Sequence, residues 1–313
     1  MQIDDLKLVL KVAEFRSITA AATNLDMQIA TASAALKRVE KALGAELFIR
    51  STRQLRLSTA GERYMPQCQH ALHMLEQAKL NISDDKNAIE GELRIAMPSD
   101  LGRNLATPWL DEFMQLYPKL SVKAYLSDSM IDFYRDPVDV ALRYGSPKDN
   151  NLYGFEIGDV AGLLCASPDY LAKHGSPQHP QDLASHSGLF YQLYDITYDV
   201  WEFSHHGQSL KIKMQGRRAS NDGDLVRRWC IDGHGFAIKS SLDMAADLLA
   251  GNVVSVMPEY KPRQRELWLI CPSRQSITPA VRQLREMLRT KCHETHERLV
   301  AAGVLDKSFL NLS

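Results

Sequence analysis

The chain has 313 residues, enough for two or three compact units, and its 45% hydrophobic and 24% charged residues are the balance of a globular protein in water. No apolar run reaches the roughly 18 residues that a membrane helix needs. The 37 basic and 38 acidic residues leave a net charge of −1, so global charge neither points to nor excludes a nucleic acid, and only local charge is informative.

Residues 1 to about 58 are rich in Ala, Leu, Lys and Arg and have no Pro, a composition that predicts short packed helices. Ile3, Leu6, Leu10 and Ala13 mark one face of a first helix, and Ser17 supplies a capping hydroxyl for a second at SITAAATNL. Ala32, Leu36, Val39 and Leu43 form the apolar stripe of a third, which Gly44 ends. Opposite that stripe lie Ala30, Ala34, Lys37 and Lys41, flanked by Ser33 and Arg38. A helix that enters the DNA major groove by its N-terminal end needs small side chains near base edges and cations further along for phosphates. From 37 to 57, Lys37, Arg38, Lys41, Arg50, Arg53 and Arg56 face only Glu40 and Glu46, a local excess of four positive charges on a neutral chain.

Thr59 and Glu62 have the spacing of a capping box, and Tyr64, Cys68, Ala71, Leu75, Ala78 and Ile82 follow in alternating steps of four and three. A helix running to about residue 89 would be roughly 45 Å long, with one apolar seam that a second copy of the chain is the simplest way to cover. Pro66 is expected to bend it near its start. From Gly91 the chain alternates strand-like and helix-like segments, which predicts an α/β region with a largely parallel sheet. A second such unit begins near residue 160, and RELWLICP followed by a long helix returns to the first, so two lobes are joined by two crossings. Such a pair places a cleft at the carboxyl ends of the strands, the usual seat of a small ligand.

The stretch SITAAATNLDMQIATASAALKRVEKALGAELFIRSTRQLRLSTAGE, with Ala21, Ala22, Leu25, Ser33, Leu36, Val39, Glu40, Leu43, Gly44, Leu47, Phe48, Arg50 and Thr59 to Gly61, resembles the signature of the LysR-type transcriptional regulators. GELRIAMPSD, DVALRYG and GHGFAIKSS extend the resemblance more loosely over the rest of the chain. It implies a mainly α winged helix-turn-helix domain over about 1–58, a linker helix for dimerisation over about 59–90, and a two-lobed α/β effector domain like periplasmic binding proteins over about 91–305. Lobe I would span about 91–163 and 267–303, and lobe II about 164–266. The implied function is a sequence-specific, cytoplasmic DNA-binding regulator, not an enzyme, that works as a homodimer or homotetramer on double-stranded promoter DNA. A small-molecule effector is implied without any further cofactor, and RNA polymerase is a further expected partner.

For DNA, the expected contacts are Ser17, Thr19, Gln28, Ile29, Ala30, Thr31, Ser33, Ala34, Lys37, Arg38, Arg50, Arg53 and Arg56. The family often opens its recognition helix with Ser, Gln and Pro where this chain has Gln28, Ile29 and Ala30. Base discrimination here is therefore expected from thymine-methyl contacts, the Gln28 amide, the Ser33 hydroxyl and DNA shape. Arg53, in the hairpin wing, suits a narrow minor groove, while Arg50 and Arg56 suit phosphates. For the effector, the expected positions are Pro98, Ser99, Asp100, Leu101, Ser127, Ser129, Arg143, Tyr191, Asn221 and Asp222. Two of these segments start helices, where free N–H groups favour an anion such as a small organic acid, although Asp100 and Asp222 would oppose one unless they act only as caps.

Phe190, Tyr191, Tyr194, Tyr198, Trp201 and Phe203 suit core packing better than a cleft wall. Five scattered cysteines suit a reducing compartment, and Cys292, His293 and His296 have a helical metal spacing but no evident fourth ligand. No phosphate-loop, nucleophile-elbow or dinucleotide fingerprint appears. The rival reading is a cytoplasmic small-solute-binding protein without DNA binding, in which the helical head only dimerises. Such a head has no need of a basic face beside small residues.

Overall fold

The computed structural model describes residues 1–50, 55–82, 89–133, 136, 138–147, 149 and 151–312. The chain falls into two compact units, Met1–Lys86 with Asp132–Pro137, and Asn87–Ile131 with Val138–Ser313. Among the described residues no helix is long and apolar enough to cross a membrane.

The first unit opens with α1 (Ile3–Phe15), α2 (Ile18–Asn24) and α3 (Ile29–Leu43). They close on a core of Leu8, Val9, Val12, Ala21, Ala22, Ala32, Ala35, Leu36 and Val39. The Ser17 hydroxyl caps α2 by accepting from the Ala20 N–H at 3.2 Å, and Gly44 ends α3 at a φ of 66°. The antiparallel strands β1 (Phe48–Arg50) and β2 (Leu55–Leu57) form the hairpin, with Ile49 opposite Arg56.

The following helix, α4 (Thr59–Ile82), is capped by Ser58 rather than Thr59: the Ser58 hydroxyl accepts from the Gly61 N–H at 3.0 Å and donates to the Glu46 carbonyl at 2.6 Å. The expected continuation to about 89 lies outside the described residues beyond Ile82. Among the described side chains of α4, Met65, Cys68 and Leu72 are buried, whereas Leu75 of the expected seam is 46% exposed in the single chain. At Gly61 an added Cβ would lie 2.2 Å from the Leu47 carbonyl oxygen, a backbone atom that cannot step aside. Gly61→Ala should therefore destabilise this unit by about 1–3 kcal/mol. The check is an earlier melt in far-UV circular dichroism with the tryptophan signal, which arises entirely in the second unit, unmoved.

The second unit begins with β3 (Gly91–Met97), a short turn of helix α5 (Ser99–Leu101) leading through Gly102–Ala106 into α6 (Thr107–Leu116), then β4 (Leu120–Leu126), β5 (Val140–Tyr144) and β6 (Tyr153–Val160). The chain then crosses into lobe II with β7 (Gly162–Ala166), α7 (Pro168–His174), β8 (Ser187–Leu193), β9 (Ile196–Thr197), β10 (Val200–His205), β11 (Gln208–Lys213), β12 (Gln215–Ser220), α8 (Gly223–Ile231), β13 (Ala237–Ser240), α9 (Ala245–Ala250), β14 (Val254–Ser255) and β15 (Lys261–Pro262). It returns through β16 (Arg265–Cys271) to α10 (Pro279–Ala301).

The sheet of lobe I has the order β4-β3-β5-β16-β6. It is mixed rather than largely parallel. β3 runs parallel to β4 and β5, but β16 enters from the opposite lobe and pairs antiparallel with both β5 and β6. In lobe II, β12 and β8 are parallel, while β13 and β14 flank β7 antiparallel. Helix α10 serves both lobes, with Val281, Leu284, Leu288 and Cys292 in the core of lobe I and Leu299 in that of lobe II.

Candidate functional site

The 3.6-residue period of α3 divides its side chains cleanly. Ala32, Ala35, Leu36 and Val39 are buried, while Gln28, Ile29, Ala30, Thr31, Ala34, Lys37 and Lys41 are exposed and Ser33 lies at the border. The exposed strip is small at its start and basic toward its end. Thr19 is also exposed, and Ser17 is half-buried as the α2 cap. Arg56 is exposed on β2. Arg50 sits on β1 opposite Leu55, and Arg53 lies outside the described residues.

Arg38 makes an ion pair within the unit. Its guanidinium donates to the Asp5 carboxylate of α1 at 2.6 and 3.4 Å, and Asp5 also accepts from the Gln2 N–H at 3.1 Å. The Arg38 hydrogen bond chiefly holds the Asp5 carboxyl below its ordinary range despite burial. The pair ties α1 to α3, and Arg38 remains exposed. Glu40, counted as an opposing charge and as part of the signature, accepts from the N–H groups of Leu47 at 2.9 Å and Phe48 at 3.4 Å. It is the anchor that sets the hairpin against α3.

In the second unit, the loop after β4 meets the starts of α5 and α8. The Asp128 carboxylate accepts from the Ser99 N–H and the Ser99 hydroxyl, both at 2.6 Å, and from the Gly223 N–H at 2.7 Å. Gly223 N–H also reaches the Ser99 hydroxyl at 2.9 Å. The loop is held from both lobes. Arg143 donates to the carbonyls of Ser127 at 2.6 Å and Ser129 at 2.8 Å, and the Tyr191 hydroxyl of β8 donates to the Asp128 carbonyl at 3.4 Å. Ser99, Ser127, Ser129, Arg143 and Tyr191 are thus brought together around a residue, Asp128, that was not foreseen.

Three other expected effector positions have different roles. Leu101 is fully buried in the core of lobe I. Asp222 caps α8, accepting from the N–H groups of Asp224 at 2.9 Å and Leu225 at 3.2 Å, and pairs with Arg103 at 3.0 Å. Burial alone would raise its carboxyl, but the Leu225 N–H, Ser99 and Arg103 outweigh that and hold it below the ordinary range. Asp100 is 2% exposed and faces the buried ammonium of Lys239 on β13. Burial pushes its carboxyl up to about 7 against the pull of Lys239, with the charge of Asp243 acting in the same direction as burial. Pro98 precedes α5 and is half-buried, and Asn221 is exposed.

Beneath the loop lies a charged layer that joins the lobes. Lys239 reaches Asp100, lies 3.9 Å from Asp243 and donates to the Gly223 carbonyl at 2.9 Å. Arg227 pairs with Asp247 at 2.5 Å and lies 3.6 Å from Asp224. Asn104 donates to Asp224 at 2.7 Å and to Asp100 at 2.9 Å, and the Tyr144 hydroxyl donates to Asp243 at 2.7 Å. The sequence signal was a lysine inside the apolar run FAIK, since a buried ammonium demands acids nearby.

Phe190, Trp201 and Phe203 belong to the lobe II core, while Tyr194 and Tyr198 are exposed. Among the described residues no group of three potential metal ligands occurs. Cys292 is packed in the core, where burial pushes its thiol up to about 12. His296 packs edge-on against Phe309, and burial pulls its imidazole down to about 4, with a smaller push from His293. A histidine that folds neutral loses stability as pH falls from its unfolded value toward 4, here about 2–3 kcal/mol between pH 6.5 and 4. His296→Leu should remove that part of the acid slope in tryptophan-monitored urea melts. An unchanged slope would contradict it.

Sequence comparison places this geometry in a family. Residues 3–62 match the profile of the bacterial regulatory helix-turn-helix protein, lysR family, and residues 86–293 match the LysR substrate binding domain. The chain is 30% identical over 287 residues to the HTH-type transcriptional regulator DmlR of Escherichia coli K12, covering 92% of this chain and 93% of that protein. It is also 30% identical to the HTH-type transcriptional activator TtdR of the same organism, covering 85% of this chain and 86% of the relative. Among solved structures, the full-length Vibrio cholerae virulence activator AphB superposes with a TM-score of 0.59 at 27% identity, covering 92% of this chain and 98% of that one. CrgA of Neisseria meningitidis gives 0.59 at 25% identity, covering 93% and 99%. The chain belongs to the LysR family of bacterial transcriptional regulators, with an N-terminal helix-turn-helix domain and a C-terminal effector-binding domain.

Proposed function

We propose that the exposed strip of α3 enters the major groove of promoter DNA from its Gln28 end, with Ile29, Ala30, Thr31, Ser33 and Ala34 against base edges and Lys37 and Lys41 on phosphates. Arg50 and Arg56 of the hairpin add backbone contacts, Arg53 reaches the minor groove, and Ser17 and Thr19 meet the backbone at the start of α2. The observation that carries this reading is the exposed strip itself, small at one end and cationic at the other. Linker helices of two copies pair the heads on successive half-sites, and a homotetramer spans a longer site. The protein acts in the cytoplasm, where contact with RNA polymerase completes its effect on transcription. A small organic acid bound between the lobes shifts a pre-existing equilibrium between assembly geometries.

Gel shift of the full-length protein against genomic fragments, at fixed salt, tests the reading. Retention of a small subset, with affinity falling steeply as salt rises, is the expected result. Indifference to every fragment in dilute buffer would favour a solute-binding protein without DNA binding.

A further inference from the structure

We propose that Asp128 is a resident ligand of the interlobe cleft: a carboxylate of the chain itself that occupies the seat for an acid effector and competes with it. This rests on the acid-effector reading above. The seat is built from both lobes, the Ser99 N–H and hydroxyl on one side and the Gly223 N–H on the other, at 2.6–2.7 Å from the Asp128 oxygens. Three donors on one carboxylate at such distances are charge-assisted bonds, which shorten and strengthen together. The loop cannot easily swing away, because Arg143 grips the carbonyls on either side of Asp128 and Tyr191 grips its own. Asp128 is therefore delivered at the effective concentration of a short tether, while a free acid arrives at its bulk concentration.

If the state with Asp128 seated outweighs the vacant one by some factor, the apparent affinity for an added acid falls by that factor. The lobes are also held together without any small molecule, since the same carboxylate touches both. An effector acid must therefore displace a side chain instead of filling a vacancy, and Asp128 sets the concentration at which the regulator responds.

The test is chemical rescue in full-length protein, with tryptophan fluorescence as the readout because all four tryptophans lie in the effector unit. Asp128→Ala should melt about 5 °C below the parent. Sodium acetate at about 0.1 M, compared with chloride at equal ionic strength, should restore a few degrees to Asp128→Ala and none to the parent. Adding Ser99→Ala to Asp128→Ala should abolish the rescue. Equal acetate responses in parent and variant, or a variant that neither melts earlier nor responds, would overturn the proposal. Should Asp128→Ala not fold, hydrogen exchange of the parent decides, because the Ser99 amide, which donates to the Asp128 carboxylate, must be protected without effector, and fast exchange overturns the idea. The two readings fail separately. Acetate rescue of Asp128→Ala with a parent that no panel of small organic acids shifts leaves Asp128 seated but removes the acid effector, whereas a parent shifted by such an acid beside a variant deaf to acetate overturns only the role of Asp128.

Discussion

Lys239→Met is expected to destabilise the effector unit by about 3–5 kcal/mol, the cost of removing one member of a buried charge cluster and leaving the others uncompensated. Lys239 is 9% exposed, and the Asp100 and Asp243 carboxylates that face it are buried as well. The substitution keeps an aliphatic chain of similar length, so the change in packing is small and electrostatics dominates. Tryptophan-monitored melting should fall by roughly 10 °C. Neutralising the orphaned acids in the same chain, as Lys239→Met with Asp100→Asn and Asp243→Asn, should recover a large part of the stability, because neutral amides do not need the missing cation. A triple variant no better than the sum of its separate changes would mean that the cluster is not coupled.

That cluster also explains where the sequence was opaque. The exposed strip of α3 was legible because it is local: its residues are three and four apart on one helix, so periodicity alone separates Leu36 from Lys37. The ends of the elements were legible nearly as well, since Ser17 and Gly44 act where their chemistry predicts, although Ser58 and not its neighbour Thr59 caps α4. The interlobe site is different. Asp128 and the Gly223 N–H it accepts from are 95 residues apart, and Arg38 and Asp5 are separated by 33. No spacing rule connects such pairs, because the folded sheets bring them together. The same limit applies to the sheet of lobe I, where the strand pattern predicts parallel pairing but the late return of β16 inserts an antiparallel strand between β5 and β6. Asp100, read as a cap or ligand contact, is buried beside Lys239, a long-range pairing that a helix-start pattern does not reveal.

The largest effect on DNA binding is expected from Ala34→Glu. Ala34 is exposed on α3, so the substitution keeps a good helix former on a solvated surface and should leave unfolding within about 0.5 kcal/mol of the parent. In the groove it would set a carboxylate against base edges and phosphates at close range, where like-charge contact costs several kcal/mol, so affinity should fall by about 100-fold or more. Lys37→Ala separates charge from shape. It removes an exposed cation that the proposed docking sets on a phosphate, so every fragment should bind more weakly and the slope of log K against log salt should shrink by about 0.9 for each phosphate no longer neutralised. Lys173, an exposed lysine on α7 of the effector unit, is the control, and Lys173→Ala should leave that slope unchanged. If Lys37→Ala and Lys173→Ala give the same slope as the parent, the basic end of α3 does not meet phosphates. If Ala34→Glu also retains fragments, α3 is not the element in the groove.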